Sequence, residues 1–245
     1  MNTTKTEFIM FGSRQQLEKC TTDHINIAGD SVKREGCIRY LVAFLDETLT
    51  FKEHVKRKCR VAMLNYFRIK SIRKYLTKEA TEVLVLSLVV SHLDYCNVIL
   101  YGIADCDIAK LQRIQNMCAK LVLNRKWSDS SKTSLYDLHW LPVKARINFK
   151  LLTYMYNCSI SHAPGYLTEL LSKSLPARTL RSTAKTLASF DVPFNKRKTF
   201  ADRSFGTAGP KLWNALPGDI KNAKSVDSFK KMLKTHYFKK FEELF

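Results

Sequence analysis

A chain of 245 residues with 45% apolar residues can bury a core, in one domain or two, and is too apolar for wholesale disorder. Its formal net charge of +19 sets aside a weakly charged surface and points to a polyanionic partner, most often nucleic acid, with a merely soluble basic surface as the bland alternative. Seven cysteines, an odd number with no C-x-x-C pair, argue against a disulfide framework.

The charge is unevenly placed. Residues 1–50 hold 6 basic and 7 acidic side chains, whereas residues 51–80 hold 10 and 2, and residues 172–203 hold 8 and 2. MNTTKTEFIM has no signal-peptide core, and the most apolar run, Val83 to Val90, is too short to span a bilayer. The expected location is therefore cytoplasmic or nuclear, neither secreted nor in a membrane.

Taken in chain order, Phe8 to Phe11 suits a short buried strand, with a possible short helix near Arg14 to Lys19. His24 to Ile27 alternates and meets a turn at Gly29-Asp30, and Ile38 to Leu45 is a second strand-like run. At Phe51 the period changes. Phe51, Val55, Cys59, Ala62, Tyr66 and Ile69 recur at steps of three and four and define one helix face. Lys56, Arg57, Arg60, Arg68 and Lys74 lie off that face. They form either a solvated back or a surface laid along a phosphate backbone.

Thr77 is placed to cap a second helix, and Glu82 to Leu93 is apolar nearly all round, as in a central helix of a bundle. A third helix starts at Asp105 or Asp107 and buries Leu111, Ile114, Cys118 and Val122. Residues 124–134 read as a loop. A fourth helix opens after Leu141-Pro142, with Val143, Ile147, Leu151 and Met155 repeating every four residues, and a short one runs from Pro164 to Leu171. Residues 172–203 read as extended or loop, Gly206, Gly209 and Pro210 as breaks, Trp213 as a packing anchor, and Val226 to Phe241 as a basic amphipathic helix.

Catalytic signals are weak. His92-x3-Cys96 offers two ligands where zinc wants four, so no metal site is expected. There is no G-x-S-x-G run and no glycine-rich phosphate loop. Asp46-Glu47 is a carboxylate pair that could hold a cation. Tyr66, Phe67, Tyr75 and Trp127 lie among basic residues; Tyr66 belongs to the apolar face, and Trp127, in a polar stretch, is the best ring for stacking on a base.

KTEFIMFGS at Lys5 to Ser13, RYLVAFLD at Arg39 to Asp46, LTFKEHV at Leu49 to Val55, SHLDYCNVILYG at Ser91 to Gly102, LQRIQNMCAKLVL at Leu111 to Leu123, LHWLPVKARI at Leu138 to Ile147 and PKLWNALP at Pro210 to Pro217 together resemble the C-terminal part of a jockey-like non-LTR (LINE-type) retrotransposon reverse transcriptase. The resemblance implies three parts: palm-edge strands with a primer-grip-like hairpin over 1–50, a helical thumb-like region over 51–135, and a basic helical C-terminal region over 136–245. It implies that Lys5 is the palm lysine near the nucleotide site, that Tyr40, Leu41 and Val42 form the primer grip, and that the basic helices follow the template–primer. The family's metal-binding Tyr-x-Asp-Asp lies upstream of Lys5. The resemblance therefore implies no catalytic residue and no cofactor in this stretch, with Mg2+ belonging to the complete polymerase. The family has glycine where Val42 stands, so a distorted hairpin is expected.

The expected fold is mainly α with a small N-terminal β portion, a helical thumb-like bundle following the edge of a polymerase palm. The expected function is that of a truncated RNA-directed DNA polymerase fragment. It binds RNA, DNA or an RNA–DNA duplex through Lys56, Arg57, Arg60, Arg68, Lys74 and Trp127, joined by an upstream palm where a complete polymerase is made. A non-enzymatic helical protein-interaction module and a non-functional relic are the rivals.

Overall fold

The change of period at Phe51 is also the change of structure in the computed structural model, which describes residues 5–27, 29–174, 189–195 and 198–242. Before it lie α1 (Arg14–Glu18) and two antiparallel hairpins, β1 (His24–Ile27) with β2 (Asp30–Lys33) and β3 (Cys37–Tyr40) with β4 (Ala43–Asp46). Helices follow. Contacts gather the chain into two compact units, one of Met1–Cys96 with Ile103–Asp129, the other of Asn97–Gly102 with Ser130–Phe245.

In the first unit, α1 forms because Ser13 and Gln16 make a capping box: the Ser13 hydroxyl accepts the Gln16 amide at 3.3 Å, and the Gln16 side chain accepts the Ser13 amide at 3.3 Å. The strand expected over Phe8 to Phe11 does not form. Phe8 makes one isolated bridge to Arg34, and Phe11 is 48% exposed. The stretch meets the hairpins through single hydrogen bonds instead of a ladder, the Glu35 amide on Phe8 O at 2.8 Å and the Gly12 amide on Glu47 O at 3.1 Å.

Ile38 to Leu45 is a hairpin rather than one strand. Its register pairs Tyr40 with Ala43 and leaves Leu41-Val42 as a two-residue turn. The expected distortion at Val42 is absent. The positive φ falls on Leu41 (55°), the first turn position, instead of on Val42, and all four pairs of the ladder stay in register.

Asp46 then sets the start of α2 (Lys52–Ile72). Its carboxylate accepts the Thr50 amide at 2.8 Å, the Phe51 amide at 2.7 Å and the hydroxyls of Thr48 (2.9 Å) and Thr50 (2.8 Å). Burial alone would push this carboxyl up, but those donors outweigh it and hold it below the ordinary carboxylate range. Glu47 pairs with Arg34. The Asp46-Glu47 pair is thus spent on structure and is not open to a cation.

α2 buries His54, Val55, Ala62, Tyr66 and Ile69. After a 3₁₀ turn at Arg73–Tyr75 comes α3 (Lys78–Val85), capped by the Thr77 hydroxyl accepting the Ala80 amide at 3.2 Å. α3 continues through a π-helical turn at Leu86–Val90 into α4 (Ser91–Asp94), where the Ser87 hydroxyl donates to the Val83 carbonyl at 2.8 Å and Ser91 donates to that of Ser87. This stretch is not the all-round buried helix its composition suggests. Val85, Val89, Val90 and Leu93 face the core, but Val83 is 64% exposed and Leu88 43%. With one neighbouring helix layer to pack on, only one side can be covered.

α5 (Asp105–Val122) buries Leu111, Ile114, Cys118 and Val122, as its spacing predicts, and packs along α2. It ends in a left-handed residue, Asn124 (φ 52°), with the Asn124 amide on Leu121 O and the Arg125 amide on Lys120 O at 2.9 Å.

The second unit opens with a 3₁₀ turn at Asn97–Leu100. α6 (Ser131–Asp137) lies where a loop was expected, because Ser130 accepts the Thr133 amide and caps it. α7 (Val143–Ser159) carries the predicted four-residue repeat into the core. α6 and α7 end as α5 does, with His139 and Ser161 left-handed. α8 (Gly165–Thr168) stops short of Leu171. Half of the 172–203 stretch read as extended or loop, Pro176 included, lies outside the described residues. Within it, Lys173 bridges Phe190, and α9 (Lys198–Ala201) is a single turn.

α10 (Phe205–Asn214) overturns the breaks expected at Gly206, Gly209 and Pro210. The two glycines sit at close approaches: a Cβ built on Gly209 would meet Met155 Sδ of α7 at 2.4 Å, and one on Gly206 would meet the Leu170 carbonyl oxygen at 2.9 Å. α11 (Gly218–Lys221) and α12 (Val226–Glu242) complete the unit. Trp213, Tyr156, Phe229 and Leu233, all nearly inaccessible, form its centre. Gly209→Val is expected to cost about 2–3 kcal/mol by overpacking a filled site, whereas Gly165→Ala, whose added Cβ meets only Glu169 Oε1 at 3.7 Å, is expected to be neutral. Urea midpoints of the two variants check this.

Candidate nucleic-acid interface

The solvent side of the α2–α5 pair is hollow. Two cavities, of about 620 and 730 Å3, run along it and share Met117 and Trp127. Lys70, Arg73, Lys74, Lys120 and Arg125 line the first, with Tyr66 at its floor. Lys52, Lys56, Lys110 and Arg113 line the second, with Phe67 (54% exposed) and the half-buried Cys59. The acidic residue on these walls is Glu53.

Both walls follow from helix periodicity. On α2, Lys52, Lys56, Met63, Phe67 and Lys70 fall on one stripe beside the buried seam, and on α5 Lys110, Arg113, Met117 and Lys120 do the same. Several cations are held in place. Lys110 donates to Asp107 Oδ1 at 2.7 Å, and that bond raises the Lys110 pKa. Arg73 donates to Leu121 O at 2.9 Å, Val122 O at 3.2 Å and Leu76 O at 2.9 Å, placing its charge on the carbonyl end of α5.

Trp127 stands where the two cavities meet and is 66% exposed. The left-handed Asn124 turns the chain back over α5, and the Lys120 ammonium then both donates to the Trp127 carbonyl at 2.6 Å and sits 5.3 Å from the ring centre. The Lys126 amide bonds Asp129 Oδ2 at 2.8 Å and closes the turn behind it.

Of the expected binding residues, the structure gathers Lys56, Lys74 and Trp127 on this face and sets three aside. Arg57 is paired with Glu53 at 2.8 Å and lies 4.1 Å over the Phe44 ring. Arg60 and Arg68 are exposed but line neither cavity. Tyr66 is core, as its place on the apolar face requires, and Tyr75 is 77% exposed beneath the Lys74 ammonium. Lys5 is exposed, and Tyr40, Leu41 and Val42 form an apolar tip exposed by 63, 79 and 43%.

Sequence reasoning missed the α5 wall. Its 110, 113, 117, 120 spacing is as regular as that of the buried face and was the available signal. Burial raises the pKa of Cys59.

Among the described residues no three His, Cys, Asp or Glu side chains converge where a metal ion would sit. Those residues include no donor set for the magnesium that the resemblance assigns to the complete polymerase. Among the described residues, no helix is long and apolar enough to cross a membrane. Comparison with family models, curated proteins and solved structures returned no match.

Proposed function

We propose that this chain binds RNA, DNA or an RNA–DNA duplex through the α2–α5 face, as the palm-edge, thumb and C-terminal part of a non-LTR reverse transcriptase. The carrying observation is the charge of that face: four cations line one cavity and five the other, against a single acid, Glu53. Cations on two helices at fixed separation suit a phosphate backbone, and little sequence preference is expected. Polymerisation belongs to a chain that also carries the family's metal-binding carboxylates. A cytoplasmic or nuclear location accompanies this reading.

Converting Lys56, Lys70, Lys74 and Lys120 to glutamate together is expected to weaken binding of a short RNA–DNA duplex by at least about 100-fold and to lower the salt slope by roughly 3–4. Reversing Arg57, Arg60 and Arg68 is expected to do less. Unchanged affinity and slope in the lysine variant overturn the proposal. A second reading, a protein-interaction module, draws on the exposed Val61, Leu64, Val83 and Leu88; it predicts a partner whose binding is indifferent to salt.

A further inference from the structure

We infer that the α2–α5 face holds a single strand of nucleic acid, with one unstacked base on Trp127. The inference rests on the nucleic-acid reading above and names the form of ligand that this site takes.

Three observations carry it. The first is the ring itself. Trp140 and Trp213 are 5% and 0% exposed, whereas Trp127 presents 66% of its surface. It is a broad π-face open to a ligand at the point where the two cavities meet. The second is its setting. Trp127 is held in place through Lys120 and its turn, and cationic cavities extend on both sides: Lys70 and Lys74 in one, Lys52, Lys56, Lys110 and Arg113 in the other. A strand lying along α2 would meet cations before and after the ring, over a helix about 32 Å long at 1.5 Å per residue. The third is Phe67, exposed by 54% on the wall of the same cavity that borders Trp127, which places a second π-face along the path.

A duplex makes poor use of this arrangement. Its bases hide their faces in the stack, so it offers phosphates to the lysines and nothing to the rings. A single strand offers both, and stacking on an aromatic side chain is tolerant of base identity. The charge argues against an apolar peptide as the occupant: a protein segment would have to be polyanionic to neutralise nine cations around two cavities.

The test uses the full chain and oligo(U) and oligo(dT) of about 12 nucleotides, within the site sizes such grooves accommodate, beside an RNA–DNA duplex of equal length. Trp127 is the exposed indole, so stacking reads directly as quenching of tryptophan emission. The single strands are expected to quench it. Trp127→Ala should abolish the quenching and weaken single-strand binding by about 5- to 150-fold, the range of one stacked base. Trp127→Phe should restore most of the affinity, and duplex affinity should stay within about twofold in both variants.

Single-strand affinity unchanged in Trp127→Ala, or an equal loss for single strand and duplex, overturns the inference while leaving nucleic-acid binding in place. Failure of every oligonucleotide to bind overturns the nucleic-acid reading and this inference together.

Discussion

Trp213→Ala is expected to remove about 3–5 kcal/mol of stability from the second unit, the range for deleting a large aromatic side chain from a packed core. Trp213 is fully inaccessible and lies among three rings: Phe229 at 6.1 Å, Phe190 at 6.1 Å and edge-on, and Tyr156 at 6.5 Å. Tyr156 and Phe229 stack at 4.3 Å beside it, and the Tyr156 hydroxyl donates to Ala223 O at 2.6 Å. That bond fixes the ring and limits collapse into the vacated space.

The neighbours of Trp213 extend the damage. Asn214 accepts the Phe190 amide at 3.1 Å and donates to the Phe190 carbonyl at 2.7 Å, so a displaced α10 also releases that segment. The buried Lys221 donates to Asn214 O at 3.2 Å, and burial lowers its pKa. Urea unfolding followed by far-UV circular dichroism measures the loss. Trp213→Phe should cost less than half as much, and a cost below about 1 kcal/mol for Trp213→Ala would mean that the ring cluster is not the centre of this unit.

The first unit is expected to lose stability between about pH 6.5 and pH 4 through His54. His54 is 2% exposed and lies between the Phe44 and Phe51 rings, and its Nδ1 accepts the Phe44 amide at 3.3 Å. Its Nε2 is buried and has no hydrogen-bond partner among the described residues. Burial, with the nearby Lys58 ammonium adding to it, pushes the imidazole pKa down to about 4 from an ordinary 6.5. Protonation would also set an N–H against the Phe44 N–H.

The sign follows from proton counting. Between those values the unfolded chain binds the proton and the folded chain does not, so stability falls as pH falls. The full span is worth about 3 kcal/mol at 1.36 kcal/mol per pKa unit. Asp46 acts in a separate window. Its pKa is lowered, so its contribution is present at neutral pH and is lost only as pH falls below about 4, the ordinary aspartate range.

His54→Asn keeps an acceptor for the Phe44 amide and removes the titration. It should be less stable than the parent at pH 7 but nearly flat from pH 7 to pH 5. Urea midpoints and hydrogen exchange at the Phe44 amide read the effect. A parallel decline in parent and variant would assign the acid lability elsewhere.

Much of this protein was written locally. The three- and four-residue spacings of Val55, Ala62, Tyr66 and Ile69, of Leu111, Ile114 and Cys118, and of Val143, Ile147, Leu151 and Met155 place those helices and their buried faces, because a helix can bury only what recurs at its own period. Thr77 marks a helix start from its side-chain chemistry alone, and the excess of lysine and arginine after Phe51 marks the basic region. The contacts of the fold decided the rest. Gly206, Gly209 and Pro210 are breakers by propensity, but α10 runs through them, and at Gly209 and Gly206 the close approach of Met155 and of the Leu170 carbonyl leaves no room for a side chain. Asp46 became a helix-start acceptor because Thr48, Thr50 and Phe51 fold around it. The basic face was half legible: sequence showed the cations of α2, but only the packing of α5 against it set Lys110, Arg113 and Lys120 opposite and left Arg60 and Arg68 outside. Residues some fifty positions apart come to share a surface through the burial of their apolar neighbours, and no local period encodes that pairing.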